Sequence, residues 1–462
     1  MFELSVKDIV SITSGKLLCG DENTIVRGIC TNSKEIEEGN LFVPVIGERV
    51  DGHLFIESAL ELGAATLTSM HHGVVIAEKP YIQVNDTVKA MQDIGTYIRG
   101  LYKKPIVGVT GSVGKTTTRQ MIATGLSQCG NIYQTKLNYN SQVGVPITLS
   151  YMDEDSDMAV LEMGMSDFGQ MGILSDMVKP DICVITVIGV AHIEFLKTRE
   201  NILQEKLAIT KSMNKDGILF LNGDDDMLAS LKGETGSKVV YYGTKEWCDY
   251  RAENIRMEGK KYTYDYVHNN KKVPVVLNAL GTHNVINSLV GMSIADYMGM
   301  DLFKVAAGYE EFNGTRQQLI DIGGEYTIID DTYNASPDSM KASINVLADM
   351  NCTGRRIAVL GDMFELGENS EKYHYEVGEY LATKNIDEVV VVGDMSKHIV
   401  QAVLDAGVNI RCNELKDNGE VSLFLLSVMA PGDAVLIKGS NGMKMYEIVK
   451  NVVGRKGQKD VK

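Results

Sequence analysis

An apolar run starting at Ile106 passes directly into Val107-Gly-Val-Thr-Gly-Ser-Val-Gly-Lys-Thr-Thr-Thr118 and then into a helix-patterned stretch, Arg119 to Leu126. This order of strand, glycine-rich turn and helix constrains the fold more than any other part of the chain. It requires a strand edge from which a helix N-terminus and the turn amides point at one spot. Gly111 and Gly114 let the backbone approach an anion there with no Cβ in the way. Phosphate suits that spot. Lys115 then reaches the outer phosphates as a point charge, and the Thr116 hydroxyl is placed to hold magnesium. The strict nucleotide loop has a glycine six residues before the lysine, where this chain has Val109, so the loop is the shorter Gly-Ser-Val-Gly-Lys-Thr variant. The competing reading is an ordinary βα turn carrying a surface lysine.

A chain of 462 residues is too long for one core and suits about three domains. Its net charge of −16 argues against nucleic-acid or anionic-membrane partners, which need a basic surface. An anionic substrate must therefore meet local cations. Seven cysteines, scattered without a Cys-x-x-Cys pair, read as reduced and mostly buried thiols. The start of the chain lacks the pattern of a signal peptide, and no apolar run is long enough to span a bilayer. A soluble, cytoplasmic, monomeric enzyme without membrane insertion is expected.

Taken in order, residues 1–101 read as a small α/β unit. Its strands are expected at Asn40–Val45 and Val74–Ala77, and a helix from His53 to Leu62 is closed by Gly63. The polar clusters Thr31-Asn-Ser-Lys34 and Asp51-Gly-His53 are either ligand contacts or turn and cap chemistry. In the next segment Asn138-Tyr-Asn140 forms a polar loop, and the strand Met158–Leu161 ends on Glu162. An acid at such a strand exit sits where ligands gather and can hold magnesium, or else it caps a helix. The apolar run Ile182–Ile188 reads as a parallel strand buried on both faces, with His192 beyond its exit. On the following helix Lys206 borders the apolar face beside Ile202 and Leu203. It either snorkels or is desolvated enough to become a neutral amine, which CO₂ could convert to a metal-binding carbamate. Asn284, in the first turn of a helix opened by Gly281, is a nucleotide contact or a cap. From Gln317 onward a second alternation of strands and helices places Asp331, Asp362, Asp394 and Lys438-Gly-Ser440 at strand exits.

Together, Thr110-Gly-Ser-Val-Gly-Lys-Thr116, Leu161-Glu-Met-Gly164, Ala191-His192, Lys206, Gly281-Thr-His-Asn284 and Gly361-Asp-Met-Phe-Glu-Leu-Gly-Glu-Asn-Ser370 resemble the Mur ligases, ATP-dependent amide-forming enzymes of bacterial peptidoglycan synthesis. The resemblance covers nearly the whole chain. It implies an α/β fold in three domains: a small N-terminal substrate domain (1–101), a central P-loop ATPase domain with a mostly parallel sheet (102–316) and a Rossmann-like C-terminal ligase domain (317–462). It implies that Thr110, Gly111, Ser112, Val113, Gly114, Lys115, Thr116 and Thr117 wrap ATP phosphates, joined by Asn284, Arg316, Asp331, Tyr333 and Asn334. One magnesium would sit on Thr116 and Glu162, a second on His192 and carbamylated Lys206. These four residues with Lys115 form the implied catalytic and metal set. Ser33, Asp51, Gly52, His53, Asn138 and Asn140 would face a UDP-sugar peptide, and Lys438, Ser440 and Asn441 the acceptor. The partners so implied are UDP-N-acetylmuramoyl-tripeptide and D-alanyl-D-alanine. A paralogous ligase of the folylpolyglutamate or another Mur type, and a nucleotide-binding regulator without catalysis, are the competing readings.

Overall fold

The computed structural model describes residues 1–47, 49–70, 78–233 and 238–456. Its centre is a nine-stranded sheet in the order 271–277, 261–268, 250–258, 238–243, 218–222, 182–185, 106–110, 158–162, 132–134. Pairing is parallel from Ile132–Gln134 through to Tyr250–Glu258, after which Lys261–His268 and Lys271–Leu277 add an antiparallel meander. Side chains along Ile106–Thr110 alternate between faces, as strand geometry requires. Val107 and Val109 pack with helices Lys115–Leu126 and Thr282–Tyr297, whereas Ile106 packs with Gln170–Val178 and Arg199–Leu207. Helices on both faces explain why these strands are apolar throughout. Each such fully buried side chain contributes about 2 kcal/mol.

The strand Ile106–Thr110 lies between Ile182–Ile185 and Met158–Glu162, where chain order reverses across the sheet. Ligands collect at the carboxyl ends of strands at such a switch point.

A six-stranded sheet forms the C-terminal layer, in the order 318–322, 326–330, 434–438, 356–361, 388–392, 411–415. It is parallel apart from the edge hairpin Gln318–Ile322 with Tyr326–Asp330. The N-terminal unit holds a five-stranded sheet and a separate two-stranded pair. Its helix Thr87–Leu101, capped by Asp86, shares a core with Tyr139, Val143 and Ile147 of the central unit.

Some elements differ from expectation. The strand expected at Asn40–Val45 is only Leu41–Phe42, since Pro44 has no N–H for a ladder. The helix expected from His53 to Leu62 starts as a 3-10 turn, Gly52–Phe55, under the Asp51 cap, and continues as Ile56–Leu60. The run Ile182–Ile188 stays in the sheet only to Ile185; beyond it Val187 O accepts from Ser112 N and Ile188 N donates to Asp225, so the chain leaves the sheet to brace the loops. The strand expected at Val74–Ala77 lies outside the described residues. Of the cysteines, Cys30, Cys183 and Cys248 are buried, but Cys19, Cys352 and Cys412 are half-buried and Cys129 is exposed. Among the described residues no helix is long and apolar enough to cross a membrane.

Candidate active site

The glycine-rich loop is held by the neighbouring strand exit. Gly111 has φ +152°, and a Cβ there would lie 1.9 Å from Thr186 Oγ1, so no side chain fits. Thr186 Oγ1 donates to Val113 O at 2.5 Å. Gly114, at φ +87°, caps helix Lys115–Leu126 without any side-chain hydrogen bond, leaving the first-turn amides for an anion. Lys115 Nζ donates to Gly111 O at 2.8 Å. Burial lowers the Lys115 pKa, Glu162 opposes that shift, and Arg316 adds to it.

Glu162 is 2 % exposed. Its Oε1 accepts from Thr116 Oγ1 at 3.2 Å and Asn140 Nδ2 at 2.7 Å. Its Oε2 is buried without a hydrogen-bond partner, 3.5 Å from Arg119 Nε. One hydroxyl and one carboxylate oxygen are what a protein contributes to a magnesium ion carried on nucleotide phosphates. Among the described residues no group of three or more His, Cys, Asp or Glu side chains is arranged to hold an ion alone.

Lys206 lies on helix Arg199–Leu207, 1 % exposed. Burial, then the charge of Lys115, drives its pKa well below the ordinary lysine range, with Glu205 opposing. Of the two sequence readings, the desolvated amine is the one found. His192 sits at φ +64° with Nδ1 2.5 Å from Glu365 Oε2 of the C-terminal layer.

That layer supplies the opposite wall. Asp331 Oδ2 accepts from Lys438 Nζ at 2.7 Å and Ser343 Oγ at 2.5 Å. Lys438 also donates to Asn334 O, Asn441 Nδ2 donates to Tyr333 O, and Ser440 Oγ accepts from Phe364 N. Arg316 stacks on the Tyr333 ring and donates to Thr116 Oγ1 at 3.4 Å, so it touches both halves. A second crossing is tighter. Asp338 packs over Gly189, where a Cβ would come within 2.0 Å of its Oδ2; that oxygen is buried without a partner, and burial raises the carboxyl pKa.

Between the halves lies a cavity of about 940 Å³. Ser112 to Thr117, Asn140, Glu162, His192, Asn284, Arg316, Asp331, Tyr333, Asn334, Lys438, Ser440 and Asn441 line it. Thr110 and Gly111 support the loop from behind, and Lys206 is buried nearby, within electrostatic reach of Lys115. Asn284 spends its side chain on Leu280 O and Asn287. Ser33, Asp51, Gly52, His53 and Asn138 do not line the cavity. His53 accepts from Ser69 N and lies 2.7 Å from Asp51, which caps the following turn; Ser33 is half-buried and Asn138 exposed in loops.

Sequence reasoning assigned nothing to Arg119, His283, Asn287, Asp338 or Glu365. Arg119 carried a faint signal, one helical turn past Lys115. Asn287 bonds Asn284 on its own helix and accepts from Thr118 of the loop helix, whereas Asp338 and Glu365 meet their neighbours only across the layers. With Lys115, Arg316 and Lys438 around one cavity and the buried Glu162 carboxylate, paired with Arg119, at its floor, the arrangement suits a polyphosphate with its cation.

Three family profiles match the chain: "Mur ligase family, catalytic domain" over 25–97, "Mur ligase middle domain" over 109–295 and "Mur ligase, glutamate ligase domain" over 315–441. The UDP-N-acetylmuramoyl-tripeptide–D-alanyl-D-alanine ligase of Bacillus subtilis is 34 % identical, covering 98 % of this chain and 99 % of its own. Among solved structures, MurF from Acinetobacter baumannii superposes with TM-score 0.89 at 26 % identity, covering 98 % of this chain and 99 % of that one. The MurF ligase of Thermotoga maritima, solved with ADP, gives TM-score 0.80 at 27 % identity over 94 % of this chain and 99 % of that one. With this likeness running from the first strands to the last helices, the chain belongs to the Mur ligase family.

Proposed function

We propose that the chain joins D-alanyl-D-alanine to UDP-N-acetylmuramoyl-tripeptide, consuming ATP, in peptidoglycan precursor synthesis. The observation that carries this reading is the chain-long likeness to ligases of that reaction, together with a phosphate loop that faces Arg316, Asp331 and Lys438 across one cavity.

A carboxylate is a poor electrophile. Its oxygen attacks the γ-phosphorus of ATP to form an acyl phosphate and ADP; the dipeptide amine then attacks the acyl carbon, and phosphate leaves. Both steps gather negative charge, which Lys115, the loop amides and Arg316 are positioned to stabilise. Closure of the C-terminal layer keeps water from the acyl phosphate.

Glu162, whose Oε2 faces Arg119 without a hydrogen bond, would with the Thr116 hydroxyl hold a magnesium ion that neutralises phosphate charge there. The buried amine of Lys206, with its pKa lowered by that burial, supports a carbamate that with His192 would hold a second ion. Thr110 to Thr117, Asn284, Arg316, Asp331, Tyr333 and Asn334 are assigned to ATP, and Lys438, Ser440 and Asn441 to the acceptor end. Ser33, Asp51 to His53, Asn138 and Asn140 are assigned to the UDP-sugar peptide, and the domains to 1–101, 102–316 and 317–462. The enzyme is taken to act as a cytoplasmic monomer.

Phosphate release from ATP and magnesium tests this, measured with the tripeptide nucleotide in the presence and absence of D-alanyl-D-alanine. Release that needs every component, with a product heavier by the dipeptide residue, is expected. Nucleotide binding without such turnover on lysine or diaminopimelate donors would move the activity to another carboxylate.

A further inference from the structure

The contact between His192 and Glu365 joins the central and C-terminal layers at the cavity wall, which both residues line. Several observations mark it as built. Nδ1 of His192 is sealed from solvent 2.5 Å from Glu365 Oε2, close enough to pair although the two are not aligned as a hydrogen bond, and the residue lines the cavity. Both residues hold left-handed backbone, φ +64° and +61°, which side chains other than glycine rarely adopt and which surrounding structure must enforce. Beside them Glu194 N donates to Glu365 O at 3.2 Å. Gly367, also at positive φ, packs closely on Glu194; a Cβ there would lie 3.3 Å from Glu194 Cα. The loop after strand Arg356–Gly361 is thus moulded onto the loop after Ile182–Ile185.

An imidazole that ligates a cation through one nitrogen characteristically gives its other N–H to a carboxylate, which fixes tautomer and ring orientation and raises ligand basicity. Here that carboxylate comes from the opposite layer. We infer that Glu365 is the positioning residue for His192, so that the cation ligand on the central layer is fully formed only when the C-terminal layer is seated against it. This rests on the reading of His192 as a cation ligand under the proposed function. Seating of the C-terminal layer and cation binding then favour one another, as two events sharing a bistable contact must.

The test is a double-mutant cycle on the full-length protein, read as Mn²⁺ binding by electron paramagnetic resonance with a non-hydrolysable ATP analogue. The variants are Glu365→Ala, His192→Ala and their combination, with Glu365→Gln to retain size and an acceptor oxygen. Glu365 is half-exposed, and melting curves verify that each variant is folded. Glu365→Ala is expected to weaken Mn²⁺ binding about tenfold, Glu365→Gln less, and Glu365→Ala to add nothing once His192 is gone. An unchanged affinity in Glu365→Ala while His192→Ala binds weakly overturns the inference and leaves the reading of His192 standing. A loss of equal size with and without His192 also overturns it, since the effect then bypasses the imidazole. Unchanged affinity in His192→Ala removes the parent reading and this inference together.

Discussion

Lys438 Nζ lies 2.7 Å from Asp331 Oδ2, tying the exits of two adjacent parallel strands, Ala434–Lys438 and Tyr326–Asp330. The lysine is 2 % exposed, so removing it strands a largely buried carboxylate. Lys438→Met is expected to destabilise the fold by about 3 kcal/mol. Urea unfolding followed by circular dichroism checks this, and adding Asp331→Leu should recover part of the loss. An unshifted midpoint would show that the pair contributes no stability.

Lys115 is expected to matter to turnover and little to stability. Burial and Arg316 disfavour its charged form, with Glu162 opposing. Lys115→Met should lower phosphate release about 10³-fold while the melting temperature holds or rises. A melting temperature that falls together with activity would refute this separation.

Acid stability should report on His283, whose pKa is pushed down to about 4 by burial, with Asp331 opposing the shift and Lys438 adding to it. The folded pKa lies below the unfolded value of about 6.5, so the fold resists the protonated form. Above pH 6.5 both states carry neutral imidazole and there is no cost. Between 6.5 and 4 the unfolded chain takes up a proton that the folded chain does not, so stability falls; below 4 the loss levels off. Unfolding free energies of the unchanged chain and His283→Gln should therefore run parallel above pH 6.5 and diverge below it. Parallel curves down to pH 4 would place the imidazole in a more polar setting.

The amine of Lys206 should react with CO₂. Burial and the nearby charge of Lys115 lower its pKa, which favours the neutral form that adds to CO₂ with loss of a proton. Equilibration with ¹³C-bicarbonate is expected to give a carbamate carbon resonance that is missing in Lys206→Met. A spectrum identical for the two proteins would count against the modification.

What was readable in the sequence was local. The turn from Ile106 to Thr118 and the acid closing Met158–Glu162 follow from apolar runs, glycine and side-chain chemistry within a dozen residues. Arg119 carried only a faint signal because its partner arrives on a different strand of the sheet, and only strand order brings Glu162 beside it. The same holds for Glu365, whose loop belongs to another sheet from that of His192. Lys206 shows the limit clearly: helical spacing put it at the edge of the apolar face, and only packing decided that it is buried. The turn at Asp51 to His53 reads equally as cap or ligand contact, and its hydrogen bonds show the cap.

The close fit of Asp338 over Gly189 has a mechanical meaning. The bare backbone at that glycine sets the clearance at which the two α/β layers come to rest. A methyl group there would meet the Asp338 carboxylate, which must turn away from the glycine to make room. Gly189→Ala thus loosens one latch between the layers at a single side chain, without touching the core of either sheet.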